Sequence, residues 1–204
     1  LNKARANKAV YEYIAGYLVK GFSDYGFDLL VNRIVENYVV KDNLNIRQKL
    51  KKSLRKRINQ AKYLGREMKA PNIILPDTAG KVVDLSEIKA ERTLVLFYAS
   101  WCPHCRKNLP ILVRLYNAQK KKKIEVVAVS IDTVKTEWIN TIKKYKMNFT
   151  NLSDLKGWEG KASRDYFIYA TPTMFLLDRN MNVVSKPQTI DEVKKIFRNI
   201  ALGP

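Results

Sequence analysis

The first seventy residues carry only helical spacing. Residues 4–22 place Ala6, Val10, Tyr13, Tyr17 and Leu18 on one stripe with Ile14 beside it, until "GFSDYG" breaks the pattern. Residues 27–40 repeat the device with Leu30, Ile34 and Tyr38, and "KDNLN" predicts a turn. A third run, Ile46, Leu50, Leu54, Ile58, Ala61 and Leu64, keeps three- and four-residue steps. Three such helices can pack on one another or onto the next domain.

From Pro71 the period changes. "NIILPDTAGKVVDL" predicts two short strands about a "TAG" turn, and residues 93–99 form an apolar run of buried-strand type. A helix follows from about Pro103 to Lys121, then the strand "KIEVVAVSID" and the helix "KTEWINTIKKYKM". "KASRDYFIY" predicts a short helix before the strand "TPTMFLLD", "RNMN" turns the chain into "VVS", and "TIDEVKKIFRNIA" closes with a helix. Strands alternating with helices predict an α/β domain, a central sheet with helices on both faces, over residues 70–204. A small all-α domain over residues 1–69 precedes it.

Charge adds one feature to this picture. The 204 residues hold 38 Lys+Arg against 19 Asp+Glu, a net charge of +19, so anionic partners have to be considered. Much of the excess lies in 47–69, where ten basic residues face one acid, Glu67. Tyr63 is the only aromatic among them, and no zinc or helix-turn-helix signature accompanies them, so a nucleic-acid partner is not expected. The apolar stripe runs through the segment intact, which makes the basic residues most simply a solvated helix face. Contact of this basic helix with a membrane surface or an acidic partner is the alternative. No apolar run approaches the ~20 residues of a membrane span, and the start at Leu1 rather than Met fits a mature or trimmed chain, so the absence of a targeting segment from it decides little.

The chemistry concentrates in "ASWCPHCRKNLP", residues 99–110, which holds the only two cysteines, Cys102 and Cys105. A structural zinc site needs four ligands, whereas here one histidine, His104, sits between two cysteines. A structural disulfide across two residues closes too small a loop to stabilise much. A redox pair fits better: an apolar strand ends, Trp101 follows, and Cys102 falls where a helix begins, with Pro103 suited to its first turn. Free N–H groups and the helix dipole at that point favour a thiolate on Cys102. Cys105, one turn on, is placed to resolve a mixed disulfide. No metal or cofactor is expected.

"FYASWCPHC" with a proline five residues on, and "TPT" before a later apolar strand, resembles the thioredoxin superfamily. The preceding "PNIILPDTAGKVVDLSEIK" resembles the opening hairpin of its TlpA/ResA-like branch, exported or membrane-tethered thiol-disulfide oxidoreductases of bacteria, and the helical residues 1–69 resemble the N-terminal extensions of Bacteroidetes-type members. The resemblance implies a thioredoxin-like fold with an N-terminal β-hairpin and disulfide exchange with protein substrates. It also implies a redox-recycling partner and a place in the periplasm or cell envelope. It further implies a cis peptide between Thr171 and Pro172, with Thr171 offering its backbone to an extended substrate segment and Trp101 shielding one side of the pair.

Three departures matter. Thioredoxins usually carry a buried Asp six residues before the first cysteine, where this chain has Leu96. TlpA/ResA-like proteins often carry a Glu three residues after the second, where it has Asn108. Neither residue can take a proton from Cys105, so its base is not named by the sequence. The peroxidase relatives need Thr or Ser where this chain has Ala99, which argues against peroxide reduction. Pro-His between the cysteines is shared with the oxidising DsbA family, so the direction of exchange stays open. The rival reading is a partner-binding protein in which the pair is vestigial or regulatory.

Overall fold

The computed structural model describes residues 1–25, 27–46, 50–119 and 123–202. The chain divides into two compact units, Leu1–Gly65 and Arg66–Pro204. The division falls before the boundary expected at Ala70. The reason is backbone pairing: Glu67 N donates to Val183 O, Val183 N to Met68 O, and Ala70 N to Met181 O. Those bonds, with the antiparallel bridge of Lys69 to Asn182, tie residues 67–70 to the second unit.

In the first unit, a 3-10 turn at Asn2–Ala6 leads into α1 (Lys8–Asp24), capped by Asn7. α2 (Asp28–Ile34) continues as a π-helical stretch, Val35–Val40, and α3 spans Lys52–Tyr63. Ala15, Val19, Val31, Ile34, Val35, Val39 and Leu54 form the core, with Ile58 and Ala61 packed against it. The third stripe therefore lies where its spacing placed it, but the first does not. Tyr13 and Tyr17 are 63% and 64% exposed, and α1 instead buries Tyr11, Ala15 and Val19. Small residues at 15 and 16 let neighbouring helices approach. Tyr11 satisfies its hydroxyl by donating to Asp42 (2.6 Å), which also pairs with Arg5 (2.9 Å). In α2 the buried residues are likewise Val31 and Ile34, followed by Val35 in the π-helical stretch, with Leu30 exposed.

The basic segment is not one helix. α3 accounts for residues 52–63, Arg66 and Glu67 lie in a turn, Lys69 bridges Asn182 of the second unit, and Arg47 and Lys49 lie outside the described residues. Lys51, Lys52, Arg55, Lys62, Arg66 and Lys69 are exposed, while Arg57 is buried.

In the second unit, β1 (Ile74–Pro76) and β2 (Val82–Asp84) form the expected hairpin, antiparallel with Leu75 opposite Val83. Gly80 takes φ 86° in its turn, a backbone region that other residues adopt at a cost. The main sheet holds β3 (Arg92–Tyr98), β4 (Ile124–Ser130), β5 (Thr150–Leu152), β6 (Thr173–Asp178) and β7 (Val183–Ser185), in the order β5-β4-β3-β6-β7. β3, β4 and β5 run parallel, β6 pairs antiparallel with β3, and β7 pairs antiparallel with β6. β3 and β4 are buried along nearly their whole length, which is why both read as continuous apolar runs.

Alternation along β3 assigns its two faces. Leu96 and Tyr98 face Cys105, Leu109 and Leu112 of α4 (Pro103–Asn117) and Ile190 of α7 (Ile190–Leu202). Phe97 points the other way, into Tyr166 (5.1 Å between ring centroids) and Phe175 (6.4 Å). Tyr166 follows α6 (Lys161–Asp165) and donates its hydroxyl to Pro71 O at 2.7 Å. α5 (Lys135–Tyr145) connects β4 to β5. The helix expected to reach Lys121 ends at Asn117, and Lys121 lies outside the described residues.

Candidate functional site

Strand pairing builds the site. β3 ends at Tyr98 and releases the chain through Ala99, Ser100 and Trp101 into the first turn of α4. β6 lies antiparallel beside β3 with Thr173 opposite Phe97, so the residues before Thr173 arrive where β3 lets go. Thr171 and Pro172 thereby meet the cysteines across a sequence gap of some seventy residues. The Thr171–Pro172 peptide is cis.

Cys102 is the N-cap of α4, with Pro103 opening the helix. Its Sγ accepts the Cys105 N–H at 3.4 Å, and its thiol faces the Thr171 carbonyl at 3.2 Å. The residue is 5% exposed. Burial opposes ionisation, yet hydrogen bonds from the Thr171 side chain and from the Cys105 and His104 N–H groups outweigh it, and the thiol is held below its ordinary value. Cys105 is 1% exposed, and burial pushes its thiol up to about 12. The two sulfurs of one motif are thus set apart: an outer one prepared to ionise and an inner one kept protonated.

The Cys105 shift has a consequence for the reduced protein. A thiol raised in the folded state contributes stability that is complete below its unfolded value and is lost as pH rises through the folded one. For Cys105 that window runs from 9.0 to about 12. The urea midpoint of the reduced protein is therefore expected to fall between about pH 8 and about pH 10, and to fall less in Cys105→Ala. Equal losses in both proteins would contradict the burial of this thiol.

The surroundings place the other expected residues. Trp101 is 55% exposed and leans on Trp158 (6.3 Å, tilted), so its indole forms part of an open aromatic wall beside the pair. Pro103 and His104 are exposed on the first turn of α4. Behind Cys105, Leu96, Asn108, Pro172, Met174 and Ile190 help line a void of about 10 Å³, at the lower limit for one water molecule. Leu96 and Asn108 occupy the places where a carboxylate would serve the inner thiol, and the space beside them is apolar.

Sequence reasoning passed over one polar cluster. Asp132, 1% exposed at the end of β4, accepts hydrogen bonds from Ser100 N (3.1 Å), Ser100 Oγ (2.7 Å) and Ser130 Oγ (2.6 Å). It ties the segment just before Cys102 to the neighbouring strand. The signal was a lone acid closing the apolar run "VVAVSID", which by itself reads simply as a strand end. Among the described residues no group of three or more His, Cys, Asp or Glu is placed to hold a metal ion.

Comparison with known proteins agrees with this geometry. Residues 67–186 match the AhpC/TSA family. A thiol-disulfide oxidoreductase ResA of Bacillus cereus is 32% identical over 140 residues, covering 67% of this chain and 78% of the relative. The thioredoxin domain of a thiol-disulfide oxidoreductase from Bacteroides vulgatus superposes with a TM-score of 0.59 at 28% identity, over 66% of this chain and 99% of that one. A thiol:disulfide interchange protein from Bacteroides sp. gives 0.57 at 27% identity, over 67% and 93%. A strand-to-helix Cys-x-x-Cys, a facing cis-proline and relatives that share the fold converge: the chain belongs to the AhpC/TSA family of thioredoxin-like proteins and, within it, to the thiol-disulfide oxidoreductases of the ResA type.

Proposed function

We propose that the protein exchanges disulfides with protein substrates through its Cys-Pro-His-Cys pair. Cys102 attacks, or is attacked, and Cys105 resolves the mixed disulfide. The observation that carries this reading is the placement of the two thiols: Cys102 caps the N-terminus of α4 against the Thr171 carbonyl, and Cys105 lies one turn deeper at 1% exposure. Thr171 and Pro172 seat an extended substrate segment over the outer sulfur, and Trp101 with Trp158 forms the wall beside it. Electrons pass between sulfur atoms, so no cofactor takes part, and a second thiol protein resets the pair.

Peroxide reduction is not the activity proposed, because Ala99 puts a methyl group where the peroxidase relatives use a hydroxyl. His104 lies on the first turn of α4 beside the outer sulfur and contributes its N–H to it. A cationic imidazole there would favour the reduced form and make the disulfide more oxidising. The resemblance to exported bacterial oxidoreductases supports a location in the cell envelope. No helix among the described residues is long and apolar enough to cross a membrane.

Equilibration of the pair with a thiol redox buffer tests the proposal. An exchange catalyst gives a reversible two-electron couple between roughly −270 mV, a reductant's value, and roughly −120 mV, an oxidant's. A potential below about −300 mV, typical of structural disulfides, would contradict it.

A further inference from the structure

Two indoles stand at the surface beside the outer sulfur. Trp101, the residue before Cys102, is 55% exposed, and Trp158 lies against it with 6.3 Å between ring centroids and a tilt of 53°. Trp158 belongs to a single 3-10 turn, Gly157–Glu159, on the way from β5 to α6. A large ring left in water forgoes the gain of burial. Two such rings side by side, next to a reactive group, mark a surface that something else covers.

The backbone under both rings is fastened to one place, the end of β4 and the residues just after it. On the Trp101 side, Asp132 accepts from Ser100 N (3.1 Å) and Ser100 Oγ (2.7 Å), which fixes the residue before the indole. On the Trp158 side, Ser153 Oγ donates to Ser130 O (3.1 Å) and accepts from Leu155 N (3.1 Å). Gly157 approaches so closely that a Cβ there would meet Thr133 Cγ2 at 3.1 Å and Ile131 O at 3.5 Å, and its φ of 59° suits glycine. Ser163 Oγ donates to Gly157 O (2.9 Å), while the Asp154 carboxylate accepts from Lys156 N (3.0 Å) and Lys161 N (3.2 Å) on either side of the turn. The frame of this ledge is set before a substrate arrives, which lowers the ordering cost of binding.

Resting on the disulfide-exchange reading above, we propose that Trp158 is a specificity-determining residue. With Trp101 it forms an aromatic ledge that selects protein segments carrying a large aromatic or apolar side chain within two residues of the reactive cysteine. A ring laid on the ledge buries apolar surface and gains edge-to-face or offset contact with the indoles. Indole faces also attract cations. Here exposed Arg106 and Lys107 on the opening turns of α4, within a chain of net charge +19, disfavour a cationic side chain. Capture of a substrate backbone at Thr171 is blind to side-chain identity, so the ledge supplies the selection.

A set of synthetic peptides tests the proposal, each with one cysteine joined to nitrothiobenzoate in a mixed disulfide on an alanine-serine background. Four carry a single phenylalanine one or two residues before or after the cysteine, four carry lysine at the same places, and one carries neither. The Cys102 thiolate attacks the peptide sulfur, the sulfur–sulfur bond breaks, and its electron pair leaves with the coloured nitrothiobenzoate thiolate. At least one phenylalanine peptide is expected to react with a second-order rate constant about three to ten times that of the unsubstituted peptide, the scale of one aromatic contact. The gain should come through a lower half-saturation concentration rather than a higher limiting rate. Trp158→Ala should bring the ratio toward one, and Trp158→Phe should keep part of it. A merely structural role for Trp158 would slow all peptides alike and leave the ratio unchanged, which would overturn the proposal. So would a wild type that shows no phenylalanine preference, or one that prefers lysine. Failure of the broader exchange reading shows elsewhere: the unsubstituted peptide would then release nitrothiobenzoate no faster than it does with free cysteine.

Discussion

Replacing Cys102 with serine is expected to reduce insulin-disulfide reduction to the uncatalysed rate. Replacing Cys105 with serine should also stop turnover, by a different route. Cys102→Ser removes the sulfur that α4 prepares, and a serine hydroxyl ionises far too weakly to replace it. Cys105→Ser leaves the attack intact and removes the resolving thiol, so protein should accumulate as a mixed disulfide visible by mass spectrometry. The asymmetry follows from placement: Cys102 caps the helix beside Thr171, and Cys105 lies a turn deeper at 1% exposure. Equal insulin reduction by wild type and Cys102→Ser would defeat the enzyme reading. Trapping on Cys105 in place of Cys102 would reverse the two roles.

The second large effect lies on the opposite face of the sheet. Phe97→Ala should cost about 3–5 kcal/mol, the range for losing a buried aromatic ring. Phe97 is fully buried against Tyr166 and Phe175, which also meet each other at 5.1 Å, so the change leaves a cavity between two rings already fixed in place. With a urea slope of ~2 kcal/mol per molar, the midpoint should fall by roughly 2 M. A shift under about 0.5 M would mean that the cluster relaxes into the space. Because Phe97 neighbours Tyr98 but faces away from the cysteines, the Cys102 ionisation should survive wherever the variant remains folded.

The parts of this molecule that were legible beforehand are those in which one residue property decides the outcome. β3 and β4 are buried on both faces, so every position is apolar and the run stands out. The Cys-x-x-Cys at a strand-to-helix junction and the later Thr-Pro-Thr are local signals, and β3–β6 pairing joins them. The buried face of α1 was not legible, because counting apolar residues favours Tyr13 and Tyr17 while packing selects Tyr11, Ala15 and Val19 by size and hydroxyl satisfaction. β5 was missed because "TNL" is short and polar, a strand only through its pairing with Val127–Val129. Asp132 was missed for a related reason: it looks like an ordinary strand end, and only its hydrogen bonds to Ser100 and Ser130 show that it anchors the segment before Cys102.

The central claim is that the N-terminus of α4 and the Thr171 loop make the Cys102 sulfur unusually willing to ionise. Ultraviolet thiolate absorbance, followed against pH in reduced Cys105→Ser, reads that sulfur alone. The account predicts half-ionisation clearly below the ordinary thiol value of 9.0. Half-ionisation at or above that value would contradict it.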